Sequence, residues 1–109
     1  MARISTHVLD IEKGRPAPGI AVELYYEGNC VGSARTNNDG RTDPPLFAGE
    51  RLQAGFYECV FHTGDYLGPC GEPGFYDRIT IRFRVSDGVE NYHVPLLLAS
   101  HGYSTYRGS

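Results

Sequence analysis

One heptapeptide carries the strongest structural signal in the sequence: Ile79–Val85, which reads ITIRFRV. Its odd-numbered positions are apolar, whereas its even-numbered positions hold Thr80, Arg82 and Arg84. Alternation with a period of two is typical of a β-strand that buries one face and leaves the other in water. The heptapeptide therefore predicts a strand of an antiparallel sheet with one solvated face.

Two further segments follow the same period. They span residues 22–27 (VELYYE) and 57–62 (YECVFH), and both are candidate antiparallel strands. Between such segments the 14 Gly and 7 Pro residues fall at short intervals, as is typical of tight turns between short strands. The turns are predicted at residues 14–19, 28–29, 37–40, 43–45, 68–74 and 86–88.

The coarse pattern of the chain predicts an all-β fold. Apolar residues at helical spacing are not found in any window of useful length, and at most one short helix is expected, near residues 65–67. We expect a sandwich of two antiparallel sheets with seven or eight strands. A chain of 109 residues is long enough for one compact core and too short for two, so residues 1–109 are expected to form a single domain.

Charge and composition exclude several classes of partner. The ten Lys and Arg residues are spread along a chain of net charge −3, so the basic stripe that binds nucleic acid is not expected. The longest apolar stretch, residues 94–99, is far shorter than the roughly 20 residues that span a bilayer. Met1 leads into polar residues rather than into a secretory signal, and we expect a soluble cytoplasmic protein without membrane contact.

The three cysteines agree with a reducing compartment. Cys30, Cys59 and Cys70 form no CxxC pair, and an odd number cannot be fully paired within one chain. We expect them to be reduced thiols, as is usual in the cytosol.

Two histidines are candidates for proton transfer. His7 lies on a predicted strand with Ser5, and His93 precedes an apolar run and is expected to point away from Val94, onto an outer sheet surface. Histidine is suited to move protons near neutral pH because its unperturbed pKa is about 6.5, so two imidazoles could activate a water molecule. The simpler alternative is a structural role for His7 and a solvent-facing position for His93.

Two other segments carry hydrogen-bonding groups that suit a site. Arg41 follows a predicted Asn-Asp-Gly turn, where it is either a solvated charge or a guanidinium that clamps carbonyl oxygens. The tail from Tyr103 to Ser109 is rich in hydroxyl groups, and we expect it to be docked rather than frayed. A metal site is not expected, because the four histidines lack HxH or HExxH spacing.

Five motifs carry a resemblance to a known family. They are STHVLD at 5–10, GRPAPG at 14–19, TNNDGR at 36–41, YHVPLL at 92–97 and the tail YRGS at 106–109. In these motifs the chain resembles the transthyretin-related proteins that act as 5-hydroxyisourate hydrolases. The resemblance runs through nearly the whole chain. The tail is its most specific part, since it marks the hydrolases and is absent from the hormone carriers that share their fold.

The resemblance implies a transthyretin-like two-sheet β-sandwich that assembles as a homotetramer, with active sites in a central channel at the subunit interface. It implies hydrolysis of 5-hydroxyisourate to 2-oxo-4-hydroxy-4-carboxy-5-ureidoimidazoline, a step of urate breakdown, without a metal or organic cofactor. Carried over by position, the catalytic residues are His7, Arg41, His93 and Ser109, and the substrate-binding residues are His7, Arg41, Tyr106, Arg107, Gly108 and Ser109.

The chemistry of these residue types fits that reaction. We expect one of the two histidines to orient or deprotonate water while the other manages the proton, and Arg41 to polarise the attacked carbonyl. Which histidine is the base stays open. Two other functions are possible alternatives. One is a non-catalytic carrier of small aromatic ligands, whose binding channel would draw on the 8 Tyr and 5 Phe residues of the chain. The other is an adhesive β-sandwich, which would be a monomer.

Overall fold

The structure is a computed structural model that describes residues 2–67 and 74–108. These residues form nine strands and one short helix: β1 Ala2–Asp10, β2 Arg15–Pro16, β3 Ala21–Tyr26, β4 Asn29–Arg35, β5 Phe47–Gly49, β6 Gly55–Phe61, α1 Thr63–Leu67, β7 Ile79–Val85, β8 Asn91–Leu98 and β9 Tyr103–Thr105. The all-β sandwich is confirmed, and β7 has the bounds that the alternation of the heptapeptide predicted. The turn predicted at 68–74 lies outside the described residues, apart from Gly74.

The strands form two sheets. The five-stranded sheet has the order β2-β1-β8-β9, with β5 also paired to β1, and the four-stranded sheet has the order β4-β3-β6-β7. The described part of the chain has nine strands rather than seven or eight, because β2, β5 and β9 have only two or three residues each, too few to leave an alternating pattern.

One strand pair departs from the antiparallel prediction. Strands β1 and β8 are parallel, with Ser5 opposite His93 and His7 opposite Pro95, whereas the other strand pairs in the described ranges are antiparallel. A parallel pair needs a long crossover connection. Here the crossover contains the whole four-stranded sheet, so no local sequence signal reports that β1 and β8 are neighbours.

The core lies between the two sheets. Strand β1 buries Ile4, Thr6 and Val8 and turns Ser5 and His7 to the other face. The largest fully buried side chains come from both sheets and from Ile20, which precedes β3; those in the strands are Phe61, Ile4, Leu24, Ile79, Leu96 and Leu98. Burial of each such side chain stabilises the fold by about 1.5–3 kcal/mol. In the described residues, no helix is long and apolar enough to cross a membrane.

Candidate active site

His93 stands on the outer face of the five-stranded sheet. It lies on β8, where its neighbours Tyr92 and Val94 are buried and its own side chain is half-buried. The predicted outward direction is therefore confirmed. Because β1 and β8 pair in parallel register, Ser5 lies directly opposite, and its Oγ is 2.9 Å from His93 Nδ1.

His7 occupies the same outer face, on the neighbouring strand. Its backbone forms an antiparallel bridge with Arg41, which brings the turn at residues 37–41 against β1. Next to this bridge, the backbone N–H of Val8 donates to the carbonyl oxygen of Gly40 at 2.8 Å. Gly40 has φ +74°, and a Cβ there would lie 3.3 Å from His7 Cδ2 and 2.3 Å from the Val8 carbonyl oxygen. A glycine at this position therefore lets the turn pack closely against the imidazole-bearing strand.

The turn that carries Arg41 is fixed by its own asparagine. The side-chain Oδ1 of Asn37 accepts hydrogen bonds from the backbone N–H of Asp39 at 2.9 Å and of Arg41 at 3.2 Å. The backbone N–H of Asn37 in turn donates to the carbonyl oxygen of Arg41 at 2.7 Å. Arg41 thus follows a turn that hydrogen bonds hold in place, as the sequence predicted, and its backbone lies beside His7.

The surroundings of His93 change the pKa of its ring. Partial burial lowers the pKa of His93, and electrostatic interactions with Arg41, His7 and Arg3 lower it further. Each cause disfavours the imidazolium form. His93 is therefore neutral near pH 7, and its ring has one nitrogen that donates a hydrogen bond and one that accepts.

The tail is docked along β8 as far as residue 108. Strand β9 pairs with residues 96–98, and the backbone N–H of Gly108 then donates to the carbonyl oxygen of His93 at 2.8 Å. The guanidinium of Arg107 lies over the ring of Tyr92, 4.6 Å from its centroid, whereas Tyr106 is 57% exposed. A cavity of about 170 Å³, lined mostly by apolar atoms, separates this part of the tail from β7.

Gly108 leaves room for the imidazole of His93. A Cβ at Gly108 would lie 2.4 Å from His93 Cδ2 and 3.1 Å from its Cγ. The ring is therefore held edge-on, with Nδ1 towards Ser5 of β1 and Cδ2 towards Gly108 of the tail. Since these two ring atoms flank Cγ on opposite sides, Nε2 and Cε1 lie at the outer end of the ring, away from the backbone.

Four of the residues singled out from the sequence thus lie on one surface: His7, Arg41, His93 and Gly108. Arg107 and Tyr106 lie next to it, on the tail and beside the cavity, and Ser109 lies outside the described residues. Two imidazoles and a guanidinium can move a proton and stabilise a developing negative charge. Ser5 and Arg3 were not predicted to belong to the site, although each shares the face of His7 because side chains on a strand alternate between its two faces.

The other histidines and the cysteines lie elsewhere. His62 Nε2 is 2.7 Å from Glu23 Oε1 on the outer face of the four-stranded sheet, and His101 is exposed in the turn before β9. Within residues 2–67 and 74–108, His, Cys, Asp and Glu side chains form no group of three or more that could hold a metal ion. Cys30 and Cys59 are free thiols, and Cys70 lies outside the described residues.

Fold and surface together define a class: a small two-sheet β-sandwich that carries a histidine–arginine cluster on the outer face of one sheet. Residues 4–108 match the model of the HIUase/Transthyretin family. The chain belongs to this family.

The proteins that it resembles include 5-hydroxyisourate hydrolases and, in fold, a transthyretin. It is 47% identical to 5-hydroxyisourate hydrolase 2 of Rhizobium meliloti (strain 1021), over 98% of this chain and 96% of that protein. The structure of Klebsiella pneumoniae 5-hydroxyisourate hydrolase superposes with a TM-score of 0.89 at 38% identity and covers 100% of both chains. Transthyretin from Sparus aurata shares the fold alone, with a TM-score of 0.87 at 24% identity over 99% of this chain and 97% of that chain.

Proposed function

We propose that this chain hydrolyses 5-hydroxyisourate to 2-oxo-4-hydroxy-4-carboxy-5-ureidoimidazoline in urate catabolism. The observation that carries the proposal is that the His7–Arg41 bridge and the parallel register of β1 with β8 bring His7, Arg41 and His93 to the same region of the five-stranded sheet, from three segments distant in sequence. The full-length likeness to proteins named 5-hydroxyisourate hydrolase supports the same reaction.

The reaction needs three things from a protein. The oxygen of water adds to a ring acyl carbon, the bond from that carbon to the ring nitrogen breaks, and the single ring-opened product carries a carboxylate and a ureido group. Water must lose a proton, the carbonyl oxygen must be stabilised as it becomes negative, and the departing nitrogen must gain a proton. Two histidines and one arginine supply these functions without a metal or organic cofactor.

The residues take the following parts. One of His7 and His93 orients or deprotonates the water while the other manages the proton, and Arg41 polarises the attacked carbonyl through its fork of donors. Tyr106, Arg107, Gly108 and Ser109 close the pocket around the substrate. The docking of Gly108 on His93 supports this role for the tail, and Ser109 is proposed on the family resemblance of the YRGS motif.

The working form of the protein is proposed to be a cytoplasmic homotetramer of a single domain, residues 1–109, with its sites at subunit interfaces. Exposed aromatic rings support self-association: Phe75, 75% exposed, packs on Tyr76 at 4.9 Å between centroids, and Tyr76 packs on Tyr103 at 5.4 Å. A run of exposed rings at a sheet edge is typical of an interface.

The test is an ultraviolet absorbance time course of 5-hydroxyisourate, made in place from urate by urate oxidase. Because the compound also decays unaided, the rate in excess of the protein-free sample is measured, with and without EDTA. We expect fast loss that scales with protein and is insensitive to EDTA. Substitution of His7→Ala, Arg41→Ala or His93→Ala should lower this rate by roughly 10²–10⁴-fold.

The matched control is His62→Ala, since His62 lies on the outer face of the four-stranded sheet and should be dispensable for turnover. A folded tetramer without any excess rate would contradict the proposal. That outcome would favour the alternative of a carrier for small aromatic ligands, to which the apolar cavity beside the tail would then be relevant.

A further inference from the structure

Ser5 is placed to fix the orientation and the tautomer of the His93 ring. It lies on the outer face of β1, two residues before His7, and the parallel register of β1 and β8 sets it directly opposite His93. Its Oγ lies 2.9 Å from Nδ1 of His93, which is a normal hydrogen-bond distance. The next residue, Thr6, points the opposite way and donates instead to the carbonyl oxygen of Val94 in the core.

The ring of His93 has little freedom to turn. Its Nδ1 edge meets Ser5, and its Cδ2 edge fills the space that the missing side chain of Gly108 leaves. A half-turn of the ring would place a carbon atom against the Ser5 hydroxyl and lose the hydrogen bond. The outer end of the ring, which carries Nε2, is the end free to meet a substrate.

The positions of the hydrogen atoms in the Ser5–His93 hydrogen bond follow from the donors and acceptors that the two side chains have. A neutral imidazole has one N–H and one lone pair, whereas a serine hydroxyl always has a hydrogen to donate. In the part of the chain that the structure describes, Ser5 Oγ has no other hydrogen-bond partner than His93. The Ser5 hydroxyl therefore donates its hydrogen to the lone pair of Nδ1, and the proton of the neutral imidazole is then on Nε2.

We propose that Ser5 is a positioning residue that holds neutral His93 as the tautomer protonated on Nε2, so that His93 acts as a hydrogen-bond donor and His7 as the base. The assignment of these two parts in turnover rests on the proposed hydrolase function. The tautomer itself is a property of the resting protein.

The proton balance agrees with this division. His7 takes a proton from the attacking water, whose oxygen bonds to the acyl carbon, and His93 Nε2–H and the Arg41 guanidinium donate hydrogen bonds to the oxygen that becomes negative. The negative oxygen then re-forms the carbonyl as the carbon–nitrogen bond breaks, and His7 gives its proton to the departing nitrogen. The new carboxylic acid releases the second proton of the water molecule to solvent. His93 never has to release its proton, which a neutral imidazole does not do readily.

The first test reads the tautomer directly. The full chain is labelled with ¹⁵N-histidine, the two ring nitrogens of His93 are observed by NMR near pH 7.5, and the His93→Gln variant assigns the signals among the four histidines. We expect a protonated Nε2 and an unprotonated Nδ1 in the wild type. Ser5→Ala should shift the ring to a mixture of tautomers, whereas Ser5→Thr, which keeps the hydroxyl, should not.

The control is Ser33→Ala, an exposed serine of β4 on the other sheet, which should leave the His93 signals unchanged. A wild-type ring protonated on Nδ1 would overturn the proposal. So would a Ser5→Ala spectrum identical to that of the wild type.

The second test asks whether the tautomer is used in turnover. Ser5→Ala should lower kcat by about 3- to 10-fold, the factor that one neutral hydrogen bond is worth, with little change in KM. Ser5→Thr should restore kcat. Equal kcat values for Ser5→Ala and wild type would overturn the role of the tautomer in turnover. If the wild type fails to hydrolyse 5-hydroxyisourate at all, the proposed function is wrong. The proposed tautomer of His93 is then still tested by the ¹⁵N spectrum alone.

Discussion

Substitution of Gly108→Ala should disable the site without removing any group that takes part in the chemistry. The added Cβ would lie 2.4 Å from His93 Cδ2, whereas ordinary contact begins at 3.4 Å, so the ring and the tail must separate by about 1 Å. The backbone of Gly108 is not in the left-handed region, so alanine itself is tolerated there. The substitution therefore acts through this one contact.

The expected consequence is a loss of activity rather than of fold. A displacement of about 1 Å at a reacting group can lower turnover by roughly 10²-fold, and we expect kcat/KM for 5-hydroxyisourate to fall by about that factor. The melting temperature should change little, because Gly108 lies outside the core between the sheets. Kinetics are measured by the absorbance assay and stability by circular dichroism.

Gly102→Ala is the matched control. Gly102 lies in the turn before β9, also outside the left-handed region, and a Cβ there would meet no atom within 4 Å. This variant should keep wild-type kinetics. Wild-type kcat/KM in Gly108→Ala would refute the reasoning, since it would mean that the tail does not fix the position of the His93 ring.

Three more outcomes are expected. Arg3→Gln removes a positive charge that contributes to the lowered pKa of His93, so this pKa should rise when the His93 ring is titrated by NMR; an unchanged pKa would mean that Arg3 does not act on His93. Thr36→Val should destabilise the fold by about 2–4 kcal/mol in urea unfolding, because the buried hydroxyl of Thr36 both donates to and accepts from backbone groups; a loss below about 0.5 kcal/mol would contradict this. Burial raises the pKa of the Cys59 thiol to about 12, so peptide mapping after iodoacetamide treatment should find Cys30 modified in the native protein and Cys59 only after denaturation; native labelling of Cys59 would argue against the packed core.

The alternating strands could be predicted from the sequence because their signal is local. Strand β7 matches its prediction residue for residue, since Thr80, Arg82 and Arg84 all face water. The parallel pairing of β1 with β8 could not be predicted, because it joins segments about 88 residues apart and depends on how the four-stranded sheet folds between them. Strands as short as β2 carry too few residues for any period.

The candidate site depends on that non-local pairing. From the residues alone, His7 had a structural alternative and Arg41 was equally explained as a solvated charge, because sequence spacing does not give their separation from His93. The family resemblance supplied the grouping, and the structure places these residues on one surface. Ser5 was overlooked because serine on a strand face has no distinctive pattern, and only the register with His93 gives it a partner.

Identification of the product tests the central claim most directly. Urate labelled with ¹³C is oxidised by urate oxidase in the presence of this protein, and the reaction is followed by ¹³C NMR. We predict that 2-oxo-4-hydroxy-4-carboxy-5-ureidoimidazoline appears at a rate set by the protein concentration and that the His93→Ala variant accelerates its formation far less than the wild type does. Decay of 5-hydroxyisourate at the spontaneous rate, with the same products in the presence and absence of the folded protein, would contradict the account.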